Sequence, residues 1–405
     1  MFNMQEERYT DTSIKLSTFY MKCIGLWIAE NHTEERQRKV AIFYTIWVTL
    51  FSSLVECREF YFSWGDLSST LYVSCNILSC CLTVFKIYVI LAHKLEFINL
   101  IVYMRDHFWN GKYDLQEKAI LVECRKVCTF FTISVTFIGE CAVVAYVVTA
   151  IVSNIGKNES DRILIFNMWL NSLSITPYYE IMFFLQMISL YHIGVCYFCF
   201  DNLFCILSVH VASQFRILQY RFEKLCATDQ ERNEKLTSAY CTTEFYEKFK
   251  NCIKQHQVLI NYCNLLEKVY TVMVLGQVTV FSVLICLFGY QILLADAPIT
   301  RRAIFICLIL GSTSLLFMFT YSCHGLIEQS DKVAVAAYST MWTNLPMTEF
   351  GKMLRNDLLM VIQRSRRVCC MTACGFFPVS LETFTTILST AASYFTLLRN
   401  NADYT

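Results

Sequence analysis

Stretches with almost no charge recur seven times along this chain, and they limit its fold more than any other feature. Each has at least about 20 residues, the length that an α-helix needs to cross the hydrocarbon core of a bilayer. Charged residues make up only 17% of the chain, whereas an average soluble domain has about 25%. We therefore expect an all-α polytopic membrane protein with seven transmembrane helices. The stretches cover residues 40–62, 68–92, 127–152, 178–210, 269–294, 303–324 and 371–400.

Lysine and arginine are divided unevenly between the segments that join these stretches. The N-terminal segment and the others on its side of the membrane carry 26 of them, whereas the opposite side carries five. Positively charged segments are retained in the cytosol, so we expect a cytosolic N-terminus and an extracellular C-terminus. This orientation places the glycosylation pattern Asn158-Glu159-Ser160 outside the cell.

The segments expected in the cytosol carry apolar residues at helical spacing, which is typical of helices that pack together. Because apolar stripes need a cover in water, we expect helical extensions of the spans to form a packed anchor region under the membrane. We divide the chain after the sixth span. Residues 1–325 then hold spans one to six, the extensions and a ligand pocket in the outer half, and residues 326–405 hold a cytosolic helix and the seventh span.

Motifs of several functional classes are missing from the sequence. It has no phosphate-binding glycine loop, HExxH, GxSxG or catalytic pair of carboxylates, so we do not expect an enzyme. No basic run or groove-reading motif suggests a nucleic-acid partner. The 21 cysteines are scattered through apolar stretches, where a role as small buried side chains explains them better than metal binding. We expect neither a metal nor another cofactor.

Glu140 and Lys86 are charged residues inside the apolar stretches, and each needs an explanation. Glu140 lies near the middle of the third stretch, where a carboxylate is costly and is either functional or neutralised inside the bundle. Lys86 lies six residues from the end of the second stretch. We expect its long side chain to reach the cytosolic interface.

The outer halves of four stretches combine apolar and aromatic side chains with a few hydrogen-bonding groups. A pocket for a small volatile molecule needs this composition, because dispersion contacts supply most of the affinity and one or two polar groups orient the ligand. Ordinary packing between helices is the alternative explanation for each residue. The candidates are Tyr72, Val73, Asn76, Gly139, Ala142, Tyr146, Met182, Phe183, Gln186, Ile309, Ser312 and Thr313.

Polar side chains recur at spacings of three and four in the last stretch, which places them on one face of a helix. A polar stripe on a membrane helix needs another helix or water as its partner, and the pattern alone leaves both alternatives open. The stripe consists of Thr386, Ser389, Ser393, Thr396 and Asn400.

Two motifs stand close to the C-terminus. The first motif comprises Tyr321-Ser-Cys-His-Gly325, Glu328, Ser330, Ala336, Ala337, Tyr338 and Trp342, and the second comprises Arg364-Ser365, Met371-Thr-Ala-Cys-Gly-Phe-Phe377, Ser380-Leu-Glu-Thr-Phe384, Ile387-Leu388, Thr390-Ala391 and Ser393-Tyr-Phe395. In order, spacing and position the first resembles the span-six signature of insect odorant receptors, and the second resembles the terminal motif of that family.

This resemblance implies an odour-tuning subunit of a ligand-gated, non-selective cation channel. Its implied partners are a small volatile odorant, membrane lipid and the odorant receptor co-receptor, in a heterotetramer that needs no obligatory G protein. The implied location is the plasma membrane of sensory neuron dendrites. The chain is not expected to be the co-receptor itself. The co-receptor carries a long insertion between spans four and five, whereas the corresponding segment of this chain, residues 211–262, is too short to contain it.

The resemblance also assigns roles within the last stretch. By position after Ser393-Tyr-Phe395, Leu397 corresponds to the hydrophobic gate and Asn400 to the polar residue just beyond it, while Thr386, Ser389 and Ser393 become candidates for the wetted path. The sequence departs from the family at Cys374, where glycine is common, and at residues 366–368, where Arg-Arg-Val replaces Gln-Lys-Pro.

Two alternatives stay open from the sequence. A gustatory receptor of the same superfamily shares the fold but ends in a different, Thr-Tyr-rich motif. A metabotropic seven-span receptor has the opposite orientation, with its N-terminus outside the cell.

Overall fold

The computed structural model describes residues 11–29, 31–168, 174–231, 238–293, 298–340 and 349–402. Within these ranges the chain is almost entirely helical, which confirms the all-α prediction, and an isolated β-bridge joins Thr372 to Pro378. Trp342 of the first C-terminal motif lies outside them. The α-helices are α1 (Thr12–Ile24), α2 (His32–Ser63), α3 (Leu67–Ala92), α4 (Lys94–Tyr103), α5 (Leu115–Ser153), α6 (Tyr178–Glu231), α7 (Ser238–Leu293), α8 (Ile299–Ser339), α9 (Glu349–Ser365) and α10 (Leu381–Ala402).

Six of the described helices, α2, α3, α5, α6, α7 and α8, are long and apolar enough to cross a membrane. They correspond to the first six predicted stretches. The seventh candidate, α10, has 22 residues and is therefore about 33 Å long, which matches the roughly 30 Å hydrocarbon core of a bilayer.

The seventh stretch is helical only from Leu381, so the expectation of a single span over residues 371–400 was wrong at its start. Residues 371–379 form a tight loop in which the Val379 N–H donates to the Met371 carbonyl over 2.8 Å. Cys374 and Gly375 both have positive φ, 51° and 78°, a conformation that a helix cannot contain. Because the loop is itself largely apolar, hydropathy alone does not separate it from the span that follows.

The longest helices extend well beyond a bilayer. With 54 residues in α6 and 56 in α7, each is about 80 Å long. Both pack against α8, α7 also packs against α4, and α8 packs against α9. Their extensions bury rings such as Phe215, Phe222 and Phe249, and the apolar residues Leu354, Leu358 and Val361 of α9 are buried as well. The packing of a helical anchor region is thus confirmed, and the side of the membrane on which it lies stays a prediction.

The first turn of α5 shows how the sequence starts a helix that later lines the site. Asp114 accepts from the Glu117 N–H over 2.8 Å, and the Glu117 side chain accepts from the Asp114 N–H over 3.0 Å. This capping box satisfies two backbone donors that a helix start otherwise leaves open. Arg221 of α6 donates to Glu117 over 2.6 Å, so the same box also fixes α5 against α6.

Candidate functional site

A cavity of about 130 Å³ lies among α3, α5, α6 and α8. Its wall is mainly apolar, with Ile138, Leu190, Phe198 and Phe288 among the larger side chains. The volume is close to that of an engineered cavity of ~150 Å³ that takes up benzene. The cavity can therefore hold a small, mostly apolar molecule.

Two polar side chains meet in the wall of this cavity. The Tyr146 hydroxyl on α5 donates to Oδ1 of Asn76 on α3 over 2.7 Å, and both residues are buried. In the part of the chain that the structure describes, Nδ2 of Asn76 has no hydrogen-bond partner. Because a buried amide N–H without a partner is costly, this group can donate to an acceptor atom of a bound molecule.

A loop between α5 and α6 covers one end of the cavity through Phe166. Gln186 of α6 holds this residue by two backbone hydrogen bonds, because its Oε1 accepts from the Phe166 N–H and its Nε2 donates to the Phe166 carbonyl, each over 3.0 Å. Asn154 holds Ile163 in the same two-way manner, over 2.6 and 2.7 Å. The position of the cover is therefore set by side chains of the two helices that it connects.

A second cavity, about 290 Å³ in volume, lies next to the first and shares Tyr146 with it. Its lining is more polar and includes Glu59 and Arg301. The guanidinium of Arg301 lies 4.5 Å from the centre of the Tyr72 ring, within cation–π range. Tyr146 thus separates an apolar compartment from a polar one.

The twelve predicted ligand-binding residues divide between several places. Five line the apolar cavity, and Tyr72 and Val73 line the polar one. Gln186 holds the covering loop, Phe183 packs near Tyr146 and Phe166, and Ile309 packs against the main core. Thr313 donates to the Ile309 carbonyl, and Met182 is half-buried outside both cavities. The five on the apolar wall are Asn76, Gly139, Ala142, Tyr146 and Ser312.

Sequence reasoning missed a deeper part of the wall, including Tyr197, Phe198 and Phe288. One signal could have indicated it. Glycine inside a helix is unfavourable by about 0.8–1.0 kcal/mol relative to alanine, so interior glycines usually have a packing reason. Gly139, Gly194 and Gly311 all line the cavity, where the missing side chains leave room.

Lys86 does not reach an interface, and that expectation was wrong. Its side chain is fully buried, and Nζ lies 2.7 Å from Oδ2 of Asp201 on α6. The same Nζ donates to the Tyr197 carbonyl over 3.1 Å and lies 5.0 Å from the centre of the Tyr197 ring. Since the Tyr197 side chain lines the cavity, the ion pair lies directly behind the cavity wall.

Glu140 is half-buried on α5 and does not line the cavity. The neighbouring Gly139 does, and a Cβ there would lie 3.0 Å from the Phe198 ring. No hydrogen bond or ion pair joins Glu140 to another residue of the described ranges. Of the two ways to neutralise Glu140 inside the bundle, hydrogen bonding gains no support from the described residues, and protonation stays a prediction.

The last helix, α10, has two different faces. Ile387 and Ala391 are buried against α7 and α8, and the Phe384 ring meets that of Phe317 at 5.4 Å. The opposite face is exposed, and its hydroxyl groups bond mainly to their own helix, as Ser393 does to the Ser389 carbonyl. Leu397 on this face is 59% exposed, and the side chain of Asn400 lies outside the described part. The exposed stripe comprises Thr386, Ser389, Ser393, Thr396 and Leu397.

Comparison with known proteins gives consistent results. The family model described as "7tm Odorant receptor" matches residues 66–392. Odorant receptor 13a of Drosophila melanogaster is 25% identical over 97% of this chain and 96% of its own length. Odorant receptor Or2 of Anopheles gambiae is 24% identical over 55% of this chain and 57% of its own length.

A solved structure has the same fold over nearly the whole chain. The insect olfactory receptor OR5 from Machilis hrabei in complex with eugenol aligns with a TM-score of 0.80 and 13% identity, covering 96% of this chain and 97% of that one. The gustatory and metabotropic alternatives gain no support from these matches. Because the family model covers most of the sequence, the chain belongs to the seven-transmembrane odorant receptor family.

Proposed function

We propose that this odorant receptor is the odorant-binding subunit of a ligand-gated, non-selective cation channel, assembled with the odorant receptor co-receptor in a heterotetramer. In this proposal it resides in the plasma membrane of sensory neuron dendrites, with its N-terminus in the cytosol, and needs no G protein. Residues 1–325 carry ligand recognition, and residues 326–405 carry the pore helix.

The apolar cavity is the proposed odorant site. A small volatile gains affinity there mainly by dispersion and by leaving water, at about 25 cal/mol per Å² of buried apolar surface. Asn76 supplies a free N–H donor for an oxygen atom of the ligand, and Tyr146 orients that amide. The eugenol complex of the structurally similar OR5 supports a role of this fold in binding such molecules.

The observation that carries the channel proposal is a contact between α10 and the residue next to a side chain that lines the cavity. Phe288 of α7 lines the cavity, and the next residue, Gly289, faces Phe395 of α10, whose ring would lie 3.5 Å from a Cβ at that position. A ligand that displaces Phe288 therefore acts on a helix that touches α10 one residue away. Binding and the proposed pore are mechanically adjacent.

The exposed face of α10 is the proposed pore lining. It carries hydroxyl groups that a single chain leaves uncovered. Four copies of such a helix around one axis would line a water-filled pore with Thr386, Ser389 and Ser393. A ring of Leu397 side chains would close this path by excluding water, since hydrophobic constrictions gate by dewetting. Asn400 would form the polar ring beyond the gate.

The energy available from a small ligand sets the size of the response. A shift from 1% to 99% open requires about 5.5 kcal/mol of preference for the open state, equivalent to about 220 Å² of additional apolar burial. That area is comparable to the whole surface of a molecule that fits the cavity. We therefore expect each bound odorant to supply about 1–3 kcal/mol, or a roughly 5–150-fold shift.

The test is co-expression with the co-receptor and recording of currents across a panel of volatile odorants. Gly311→Val places two methyl groups into the cavity from α8, where a Cβ would meet Ile138 at an ordinary 3.5 Å. We expect it to raise the odorant concentration for half-maximal current at least about tenfold, which corresponds to 1.4 kcal/mol. Gly325→Val on the same helix is the matched control, because nothing lies within 4 Å of its Cβ position.

If the two valine variants have the same odorant concentration for half-maximal current, the cavity is not the odorant site. Odorant-evoked current that disappears when G-protein signalling is blocked, or that appears in the absence of the co-receptor, would refute the proposed mode of signalling.

A further inference from the structure

Three side chains of metal-ligand type meet between α5 and α6, apart from the odorant cavity. Cys124, Cys128 and His210 are all buried, and their sulfur and imidazole nitrogen atoms lie within 4.8 Å of one another. The two cysteines are four residues apart on α5, so both sulfurs lie on one face of that helix. They converge on a histidine supplied by the neighbouring α6. The proposed channel function uses none of these residues.

The spacing of the atoms fits a tetrahedral metal ion. Zinc bonds of about 2.3 Å to sulfur and about 2.0–2.1 Å to nitrogen place the two ligand atoms of a tetrahedral site about 3.6 Å apart. Sγ of Cys128 and Nδ1 of His210 are 3.8 Å apart. Only a small adjustment of side chains is needed to admit the ion between them.

The chemistry of the ligand set selects the metal. Thiolate ligands favour soft or borderline cations such as zinc and copper(I) over magnesium and calcium. Zn²⁺ replaces the two thiol protons, so its binding leaves the net charge of the buried group unchanged, whereas copper(I) would add one negative charge. Burying net charge is costly, so the buried setting favours zinc.

A buried carboxylate contacts the residue that follows Cys128. Asp11, at the start of α1, is buried and accepts through Oδ1 from the Ser13 N–H over 3.0 Å and from the hydroxyl of Thr129, the residue after Cys128, over 3.3 Å. Its second oxygen, Oδ2, is buried and has no hydrogen-bond partner among the described residues. Asp11 is not among the residues whose ligand atoms lie within 4.8 Å of one another, so its side chain must move toward the three ligands before Oδ2 takes the position that two sulfurs and one nitrogen leave open.

We propose that Cys124, Cys128 and His210 bind a zinc ion and that the Asp11 carboxylate takes the fourth position. Binding releases the two thiol protons to solvent. The imidazole proton moves from Nδ1 to Nε2, so the ring stays neutral, and the hydrogen bond between Nδ1 and the Ile206 carbonyl, 2.8 Å long, is replaced by the metal bond. The ion joins α1, α5 and α6 in one cross-link.

The test measures metal content of the full-length receptor purified in detergent. After incubation with zinc chloride and desalting, elemental analysis should find one zinc ion per chain in the wild type and none in the double variant Cys124→Ser, Cys128→Ser. The control is Cys196→Ser, Cys199→Ser, which removes two fully buried thiols from α6 and should retain the zinc. Asp11→Asn should weaken zinc binding about 10–100-fold.

A second measurement needs only the wild-type protein, so it stands even if a variant fails to fold. Titration with Co²⁺ should give the strong near-ultraviolet charge-transfer band of thiolate ligands, and added zinc should remove it. Zinc should also raise the melting temperature of the wild type and of the control variant by a few degrees. The absence of both stoichiometric zinc and the cobalt band, or an equal loss of zinc in the two double variants, would overturn the proposal.

Discussion

Lys86 on α3 and Asp201 on α6 form an ion pair 2.7 Å long in which neither side chain has exposed surface. Nζ of Lys86 also contacts the Tyr197 carbonyl, so the pair joins two spans directly behind the apolar cavity. Each of the two buried charges depends on its partner, because a buried charge without a partner is far more costly than an intact pair.

Removing one member of this pair should therefore destabilise the receptor, whereas removing both should not. Lys86→Met leaves a buried carboxylate and should cost about 3–5 kcal/mol, and Lys86→Met combined with Asp201→Leu should recover most of that loss. Thermal unfolding in detergent and surface expression measure the effect. The control is Lys332→Met, because Lys332 pairs with Glu328 over 2.6 Å at the surface, where such pairs contribute about 0–1 kcal/mol. Equal stability of Lys86→Met and Lys332→Met would contradict the prediction.

Leu397 should govern the closed state of the channel. Leu397→Ser replaces an exposed apolar side chain on the polar face of α10 by a hydroxyl, which should favour water in the constriction and raise the basal current several-fold. Leu359→Ser on α9 changes an equally exposed leucine and should leave the basal current unchanged. The measurement is whole-cell current without odorant, normalised to surface expression. Unchanged basal current and odorant response in Leu397→Ser would exclude Leu397 as the gate.

The contact between Gly289 and Phe395 should transmit ligand binding to α10. Gly289→Leu forces the Phe395 ring away from α7, because a Cβ at position 289 already lies 3.5 Å from that ring. We expect altered basal current together with an odorant response reduced in amplitude. Gly325→Leu on α8 is the comparison, since its Cβ position meets nothing. If both variants respond like the wild type, coupling does not pass through this contact.

The orientation of the chain can be tested independently of its function. The excess of Lys and Arg on one side predicts that an epitope tag at Met1 becomes accessible to antibody only after permeabilisation, and that a tag after Thr405 is accessible on intact cells. Staining of intact cells at the N-terminal tag would indicate the opposite orientation, that of a metabotropic receptor.

Replacing Cys374 by glycine should stabilise the protein. Its φ of 51° lies in the left-handed region, which costs residues with a Cβ about 1 kcal/mol. Cys374→Gly removes this strain, and the greater freedom of glycine in the unfolded chain offsets part of the gain, so we expect a net increase below about 1 kcal/mol. The melting temperature in detergent measures it. Cys370→Gly, at a neighbouring position without positive φ, should instead destabilise the protein.

The six apolar spans were predictable because hydropathy over about 20 residues is a local property of the sequence. The loop before α10 was not predicted, although Gly375 and Pro378 were signals of a turn within the apolar run. Asn76 and Tyr146 were found from their depth in separate spans. That they face each other, and share one hydrogen bond, depends on how the helices are rotated, which hydropathy does not report.

The deeper half of the cavity was missed for a related reason. Gln186 and Tyr197 are eleven residues apart on α6, or about 17 Å along the helix, and a search limited to the outer half stops short of Tyr197. Lys86 was misread because its partner Asp201 is 115 residues away in sequence. An unpaired charge in each of two spans was the available signal, since buried charges occur in pairs.

The loop before α10 is joined to one turn of α7, at Glu267 and Thr271. The Cys374 N–H donates to the Thr271 hydroxyl, which donates to the Thr372 carbonyl, each over 2.8 Å. These bonds hold the first end of α10, so if the helix tilts about that end, the displacement of a residue grows with its distance from the loop. Leu397 lies about 24 Å from Leu381, so a tilt of about 5° moves it by about 2 Å. A rotation too small to disturb the packing near the loop can thus change the diameter of a ring of leucines by more than the width of a water molecule.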